Sequence, residues 1–423
     1  MAKTLKERDA EVIWHPYTQM KVWPEAIGIT KGEGVYLIDE EGNQYLDAIA
    51  SWWVNLHGHS HPYIAQRVSE QLIQLEHCIF AGFTHEPAVQ LAERLLPLLP
   101  GQMKKVFYSD NGSTAVEVAL KMAYQYWQNK GIDRKRIIAL EGAYHGDTVG
   151  AMSVSARSLF TKKFDPLLFD VSFIPFPTEE NCIASLKQIL EKNDTAAIIL
   201  EPLIQGSAGM RMYGAEALEE IITVCKQHDC LVIADEVMTG FGRTGTLFAC
   251  DQLTKAEPDI ICLSKGLTGG TLPLGVTTCT QDIYDAFLGD DGMTTLYHGH
   301  SFTANPIACT AALASLDLSL KDECIENIRR ISDLHRTFLQ TAKQHEKVLD
   351  ARQCGTIIAL ELNTGNATSY LNQQRNFIYR FFLERKILMR PLGNIIYILP
   401  PYCITNEELS FIYEQIQALL EVI

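Results

Sequence analysis

The chain has 423 residues, of which 47% are hydrophobic and 21% charged, and its formal net charge is −15. That length allows two or three domains around a large core, and the balance is that of a soluble globular enzyme. The acidic excess argues against a nucleic-acid partner, which needs a basic footprint, and against an anionic membrane surface.

Taken in chain order, residues 1–14 are charged and lack an apolar core of the kind that marks a signal peptide. No apolar run reaches the length of a membrane span. Eleven cysteines, an odd number with no CxxC pair, disfavour a disulfide framework or zinc ribbon and fit a reducing, cytoplasmic compartment. Residues 14–20, WHPYTQM, are aromatic, contain a proline and are expected to be irregular. Residues 34–39 and 44–47 predict a hairpin that opens a small domain. Residues 50–62 have no helical period. His57, His59 and His61 alternate there as strand neighbours would, which raises a metal site. With no acidic ligand close by, packed and hydrogen-bonded imidazoles are the preferred reading, and no metal is expected.

Helical patterns follow over 63–75 and 87–99. Strands at 106–108, 137–140, 171–174, 197–201, 231–235, 260–264 and 275–279 then alternate with helical stretches, clearest at 113–129 and 215–228. This predicts an α/β fold with a mostly parallel sheet and helices on both faces. From Asn305 the pattern changes to a helical run reaching about 346, strands at 357–362 and 395–399, and helices at 369–385 and 406–420. We therefore expect an N-terminal segment, 1–50, joining the small domain. A large domain would cover 51–304, and connecting helices with a smaller α+β domain would cover 305–423.

Two apolar runs carry the strongest chemical signal. Leu231–Ala234 delivers Asp235 and Glu236, and residues 260–264 deliver Lys265. Short continuous runs of this kind read as strands buried on both faces, and ligands sit beyond the carboxyl ends of such strands. A lysine and a carboxylate on one rim suit pyridoxal phosphate. The lysine forms a Schiff base with the aldehyde, and the carboxylate keeps a proton on the pyridine nitrogen. The plainer alternative is that both residues merely solvate strand ends.

Gly112 and Ser113, between a strand and a helix, offer free N–H groups and close backbone approach to a phosphate. An ordinary N-cap is the competing reading. Tyr144, in the turn GAYHG, and Val237 are candidates for the two faces of a flat ring. Glu201 and Gln205 follow another strand end, where a glutamine could reach a phenolic oxygen or simply close a loop. Residues 240–245, GFGRTG, match G-x-G-x-x-G but lack the following helix and the distant acid, so dinucleotide binding is disfavoured.

IADEVMTGFGRTG, SKGLTGG and HGHSFTANP together resemble the class III, fold-type-I pyridoxal-phosphate aminotransferases, and the likeness covers nearly the whole chain. WHPYTQM, ASWWVNLHGHSHP, GAYHGDTVGAMSV and MRPLGNIIYILPP are similar to the members that aminate 8-amino-7-oxononanoate to 7,8-diaminononanoate in biotin biosynthesis. The resemblance implies pyridoxal 5'-phosphate as cofactor, S-adenosylmethionine as amino donor and a homodimer with shared sites. Lys265 matches the Schiff-base lysine and Asp235 the pyridinium partner. Gly112 and Ser113 match the phosphate loop, and Tyr144 the stacking residue that also shapes the substrate pocket. Tyr17 and Trp52 match residues around the substrate, Trp53 beside them could supply a further aromatic face, and Arg390 matches the partner of its carboxylate. Gly299, His300 and Ser301 match a loop that reaches the phosphate from the other subunit. Familiar members often carry Pro-Thr where this chain has His300-Ser301; Ser301 keeps the hydroxyl. Another ω-aminotransferase, using lysine, ornithine or 4-aminobutyrate, is the alternative.

Overall fold

A computed structural model describes residues 3–21, 26–290, 292–365, 368–370 and 372–423. Its centre is a seven-stranded sheet whose strands, in chain order, are β1 (Met103–Ser109), β2 (Arg136–Leu140), β3 (Ser172–Ile174), β4 (Thr195–Leu200), β5 (Leu231–Asp235), β6 (Ile260–Leu263) and β7 (Gly275–Thr280). In space they run β1-β7-β6-β5-β4-β2-β3. The pairs β6–β5, β5–β4, β4–β2 and β2–β3 are parallel. The strand expected over 275–279 is the exception, since β7 is antiparallel to both neighbours.

Period two explains why these strands are buried throughout. Ile233, Ile199 and Ile260 pack in the layer that holds the helix α1 (Gly112–Asn129). Val232, Ile198 and Leu200 point the other way, into the layer containing residues of Cys182–Leu190 and Ala215–Gln227. Helices on both faces leave β4 and β5 with no exposed position.

Among the described residues three smaller sheets lie around this one, the least of them the two-stranded pair Ile204–Gln205 and Arg211–Met212. Ile29–Glu33, Tyr36–Asp39 and Gln44–Asp47 form an antiparallel meander that includes the expected hairpin. Gln44–Asp47 also pairs in parallel with Ile387–Leu388, so segments from opposite ends of the chain share one sheet. Val348–Cys354, Ile357–Leu362 and Ile395–Ile398 form the third. The long helical run is two helices, Pro306–Ser319, buried almost all round, and the amphipathic Asp322–Ala342.

Several boundaries shift for identifiable reasons. The helix expected over 87–99 stops at Leu95 and tightens to a 3₁₀ turn through Pro97. The helix expected over 369–385 begins at Gln374; residue 371 lies outside the described residues. Among the described residues, no helix is long and apolar enough to cross a membrane.

Ile233 is fully buried at the middle of this sheet. Ile233→Ala should cost about 3 kcal/mol, because the cavity it leaves cannot collapse between packed layers. A lowered urea midpoint with an unchanged slope is the expected reading.

Candidate active site

Strand register assembles the site. Asp235 on β5 lies opposite Cys262 on β6, so Lys265, three residues on, leaves the sheet at the same edge. Ala234 pairs with Leu200, which puts Glu201 beside Asp235. Ala139 pairs with Ile199, which brings the end of β2 and its turn bearing Tyr144 and His145. Ser109 ends β1 opposite Gly275 and leads into the N-terminus of α1. These ends enclose a cavity of about 580 Å³, lined by Lys265, Asp235, Glu201, Tyr144, Val237, Gly112, Ser113 and Trp53, with His145 and Asp147 among the others.

Lys265 is the electrostatic centre. Its side chain fronts the cavity with protein on the other sides, and burial lowers its ammonium to about 8. Asp235 and Glu201 oppose that shift, but neither forms an ion pair with it. Among the described residues Nζ has no hydrogen-bond partner; it stands 4.8 Å from the centre of the Trp53 ring. The backbone here is strained, with Lys265 at φ 45 and no glycine to relieve it.

Asp235 is held from behind. Its Oδ2 meets Nδ1 of the buried His145 at 2.7 Å, and its Oδ1 accepts from Val237 N at 3.1 Å. Glu201 accepts from the backbone N–H groups of Tyr144 and Gly206, both at 3.0 Å. Burial pushes its carboxyl up to about 7.

The other pole of the cavity is the N-terminus of α1. Asn111 caps the helix and accepts from Thr114 N at 3.0 Å, so the free N–H groups of the first turn face the cavity end near Gly112 and Ser113. A Cβ on Gly112 would come within 2.7 Å of Val237 Cγ1. Gly146, at φ 133, lies against Ser113: a Cβ there would fall 2.1 Å from Ser113 Oγ. The residues therefore fit a ring cofactor bearing a phosphate. A helix N-terminus suits the phosphate, Tyr144 and Val237 line the space between, a carboxylate stands at one side, and an unpartnered lysine amine faces in.

Tyr17 enters from the N-terminal segment and donates to Asp147, with both carboxylate oxygens at 2.7 Å. Its ring packs edge-on against Trp52 at 5.8 Å, and the Arg390 guanidinium lies 5.0 Å over the Trp52 ring. Arg390 lines a second cavity of about 610 Å³, with Tyr45 and Tyr379, rather than the Lys265 cavity. Trp53 is buried and donates from Nε1 to the Tyr397 hydroxyl at 3.0 Å.

Some expected residues are not brought in. Gln205 is fully buried, donates to Glu141 O at 3.0 Å, and sits with Oε1 beneath Gly142 instead of lining the cavity. The chain turns at Leu203, φ 65, which carries Gln205 away and leaves Glu201 at the rim. Gly299, His300 and Ser301 do not line this chain's cavity. His300 Nδ1 lies 3.3 Å from Asp110 Oδ2 and accepts from Phe302 N at 3.1 Å. GFGRTG is structural: Arg243 is buried and donates to Pro400 O and Asn55 O. His57 meets Ser315 Oγ at 3.1 Å and His59 meets Asp47 Oδ2 at 2.9 Å, as packed imidazoles would. His145 and Asp147 were not singled out from the sequence. Their only signal was a polar pair in the turn that follows a core strand.

A mostly parallel sheet presenting a half-buried lysine and a buried aspartate on adjacent strand ends is the arrangement of the fold-type-I transferases. The chain belongs to the class III aminotransferases, the family model described as "Aminotransferase class-III" matching residues 17–420. A Synechococcus elongatus protein named adenosylmethionine-8-amino-7-oxononanoate aminotransferase is 48% identical, over 97% of this chain and 99% of its own. The crystal structure of the enzyme of that name from Methanocaldococcus jannaschii superposes with a TM-score of 0.95 at 42% identity, covering 99% of this chain and 98% of the other. An omega transaminase from Pseudomonas jessenii, solved in complex with PMP, gives 0.92 at 27% identity with the same coverage.

The lowered ammonium has a consequence for stability. Between pH 8 and the unfolded lysine value of about 10.4 the unfolded chain binds the proton and the folded chain does not, so stability gains from this residue as pH rises through that window. Lys265→Met should therefore stabilise the cofactor-free protein at pH 7 by roughly 3 kcal/mol, with the advantage vanishing near pH 10.5. Paired urea titrations of the two proteins across that range measure the difference.

Proposed function

We propose that this chain transfers an amino group from S-adenosylmethionine to 8-amino-7-oxononanoate, giving 7,8-diaminononanoate, with pyridoxal 5'-phosphate as cofactor in a cytoplasmic homodimer. The observation that carries this reading is the half-buried Lys265 amine, without an acceptor among the described residues, on the same rim as a back-bonded Asp235. The specific substrates are supported by full-length likeness to proteins carrying that name. The cofactor is supported by the PMP complex of the Pseudomonas jessenii relative, PMP being the amine form of pyridoxal phosphate.

When bound, pyridoxal phosphate supplies an electron-poor ring that stabilises charge at the α-carbon of the amine donor. The chain's own groups do the rest. Lys265 would hold the aldehyde carbon and, once displaced by the donor, act as the base that moves the α-proton. A value near 8 leaves a usable fraction of free amine at neutral pH. Asp235 would keep the proton on the ring nitrogen, with His145 and Val237 N fixing its orientation. Gly112 and Ser113 would take the phosphate, and Tyr144 and Val237 the ring faces.

Arg390 would pair with the oxo acid's carboxylate as a two-pronged donor. Trp52 and Trp53 would offer aromatic faces to the cationic donor and apolar cover to the chain. Gly299, His300 and Ser301 are assigned to the phosphate of a partner subunit's site. A second reading, another ω-aminotransferase, is favoured by the likeness to the Pseudomonas jessenii enzyme.

Donor identity separates the two. Single-turnover mixing with S-adenosylmethionine alone should convert the bound cofactor's visible absorbance to that of its amine form. No conversion with it, but conversion with lysine or ornithine, would remove the first reading in favour of the second. Asp235→Asn should lower the proton-transfer rate by about 10²–10³-fold while cofactor content stays close to one per chain. Arg390→Ala should raise KM for the oxo acid more than it lowers kcat, as steady-state kinetics will read.

A further inference from the structure

Asp47 is fully buried at the end of the strand Gln44–Asp47 and has no part in the chemistry described above. Its Oδ1 accepts from Ile49 N at 3.2 Å. Its Oδ2 accepts from Ser51 N at 2.6 Å and from Ser51 Oγ at 3.0 Å, and meets Nε2 of His59 at 2.9 Å. The other ring nitrogen of His59 faces the Asn55 side-chain nitrogen at 3.2 Å, which can only donate, so the ring proton sits on Nε2 and points at Asp47. One carboxylate thus ties residues 49, 51 and 59 to the strand end.

Inside that loop the backbone is unusual. Ala50, Ser51 and Trp53 have φ of 50, 60 and 66. L-residues avoid this region, and none of the three is glycine. Strain of this kind persists only where the surroundings over-determine it, and it gathers at sites where a side chain must be aimed.

What the turn aims is Trp53. Its indole N–H donates to the Tyr397 hydroxyl on the strand Ile395–Ile398, and its ring stands 4.8 Å from Lys265 Nζ. Glycines clear the space: a Cβ on Gly206 would lie 3.0 Å from Trp53 Cζ3, and one on Gly270 would lie 2.8 Å from the Val54 carbonyl carbon. The turn therefore packs directly on the segment that follows Lys265.

We infer that Asp47 is a positioning residue for Lys265: it locks the strained turn that, together with Tyr397, sets the Trp53 indole against the lysine amine. The inference rests on the reading of Lys265 as the reactive amine of this site. A merely structural role is the competing account. Asp47 also offsets the buried charge of Arg243, which hydrogen-bonds the Asn55 carbonyl. On that account its loss would lower stability and leave Lys265 as it was.

The two accounts separate in the pH dependence of Lys265 reactivity. The full-length protein, freed of any bound small molecule, is carbamylated with cyanate from pH 6.5 to 11, and modification of Lys265 is followed by peptide mass beside the melting temperature. The wild-type midpoint is expected near 8. In Asp47→Asn and in Tyr397→Phe the loosened indole admits water to the amine. The midpoint should rise by half a unit or more, making Lys265 about threefold less reactive at pH 7 and equally reactive above pH 10.5. A wild-type midpoint in both folded variants, whatever their melting temperatures, overturns the proposal. Should Asp47→Asn not fold, Tyr397→Phe, which loses one hydroxyl, decides the matter: a raised midpoint supports the proposal and an unmoved one overturns it. A wild-type protein that labels at Lys265 as expected but takes up no pyridoxal phosphate would count against the proposed function and not against the positioning role.

Discussion

Two opposite charges that share one rim without pairing are the constraint on which this structure depends. Lys265 and Asp235 each have reason to collapse onto the other in a water-poor cavity, where attraction is strong. The structure prevents it by committing Asp235 elsewhere, Oδ2 to His145 and Oδ1 to Val237 N, and by fixing Lys265 on a backbone turn at positive φ. The result is a cavity with a cationic and an anionic pole and an indole beside the cation. An inert fold would gain by filling that space or closing that pair, so the arrangement reads as destabilisation retained for chemistry.

The sheet makes this arrangement inexpensive in chain length. Parallel strands deliver all their carboxyl ends to one edge, so Glu201, Asp235 and Lys265 need no long loops to meet. The reversed strand β7 contributes differently, by starting at that edge. A Cβ on Gly275 would fall 2.4 Å from Asn111 O, so this glycine lets the loop before α1 lie flat on the sheet end. The helix then points its free N–H groups into the cavity, opposite in character to the carboxylates.

These relations explain which parts were legible in the sequence. Asp235 and Lys265 stood out because a strand buried on both faces is an unbroken apolar run, and the first charged residue after it must sit at the rim. Gly112, Ser113 and Tyr144 follow from the same logic. Gln205 lies off the cavity because the chain bends at Leu203, a tertiary fact, while the first polar residue past the strand, Glu201, stands at the rim. His145 and Asp147 find their partners 90 and 130 residues away, a pairing no local pattern displays. The strand Val348–Cys354 escaped because it carries polar residues and no buried position, and the helix Leu5–Val12 because it buries nothing.

The division of labour across the molecule follows from the small parallel pairing of Gln44–Asp47 with Ile387–Leu388. Leu388 lies opposite Asp47, two residues before Arg390 on one strand and at the start of the strained turn on the other. One short register therefore places Arg390, Trp52 and Trp53 together, while the strand ends of the large sheet place Lys265, Asp235 and the α1 N-terminus. The two sets meet where the Trp53 ring faces the lysine and where the turn packs against Gly270. The position of Arg390 and the two tryptophans beside the rim is thus set by how segments far apart in sequence dock.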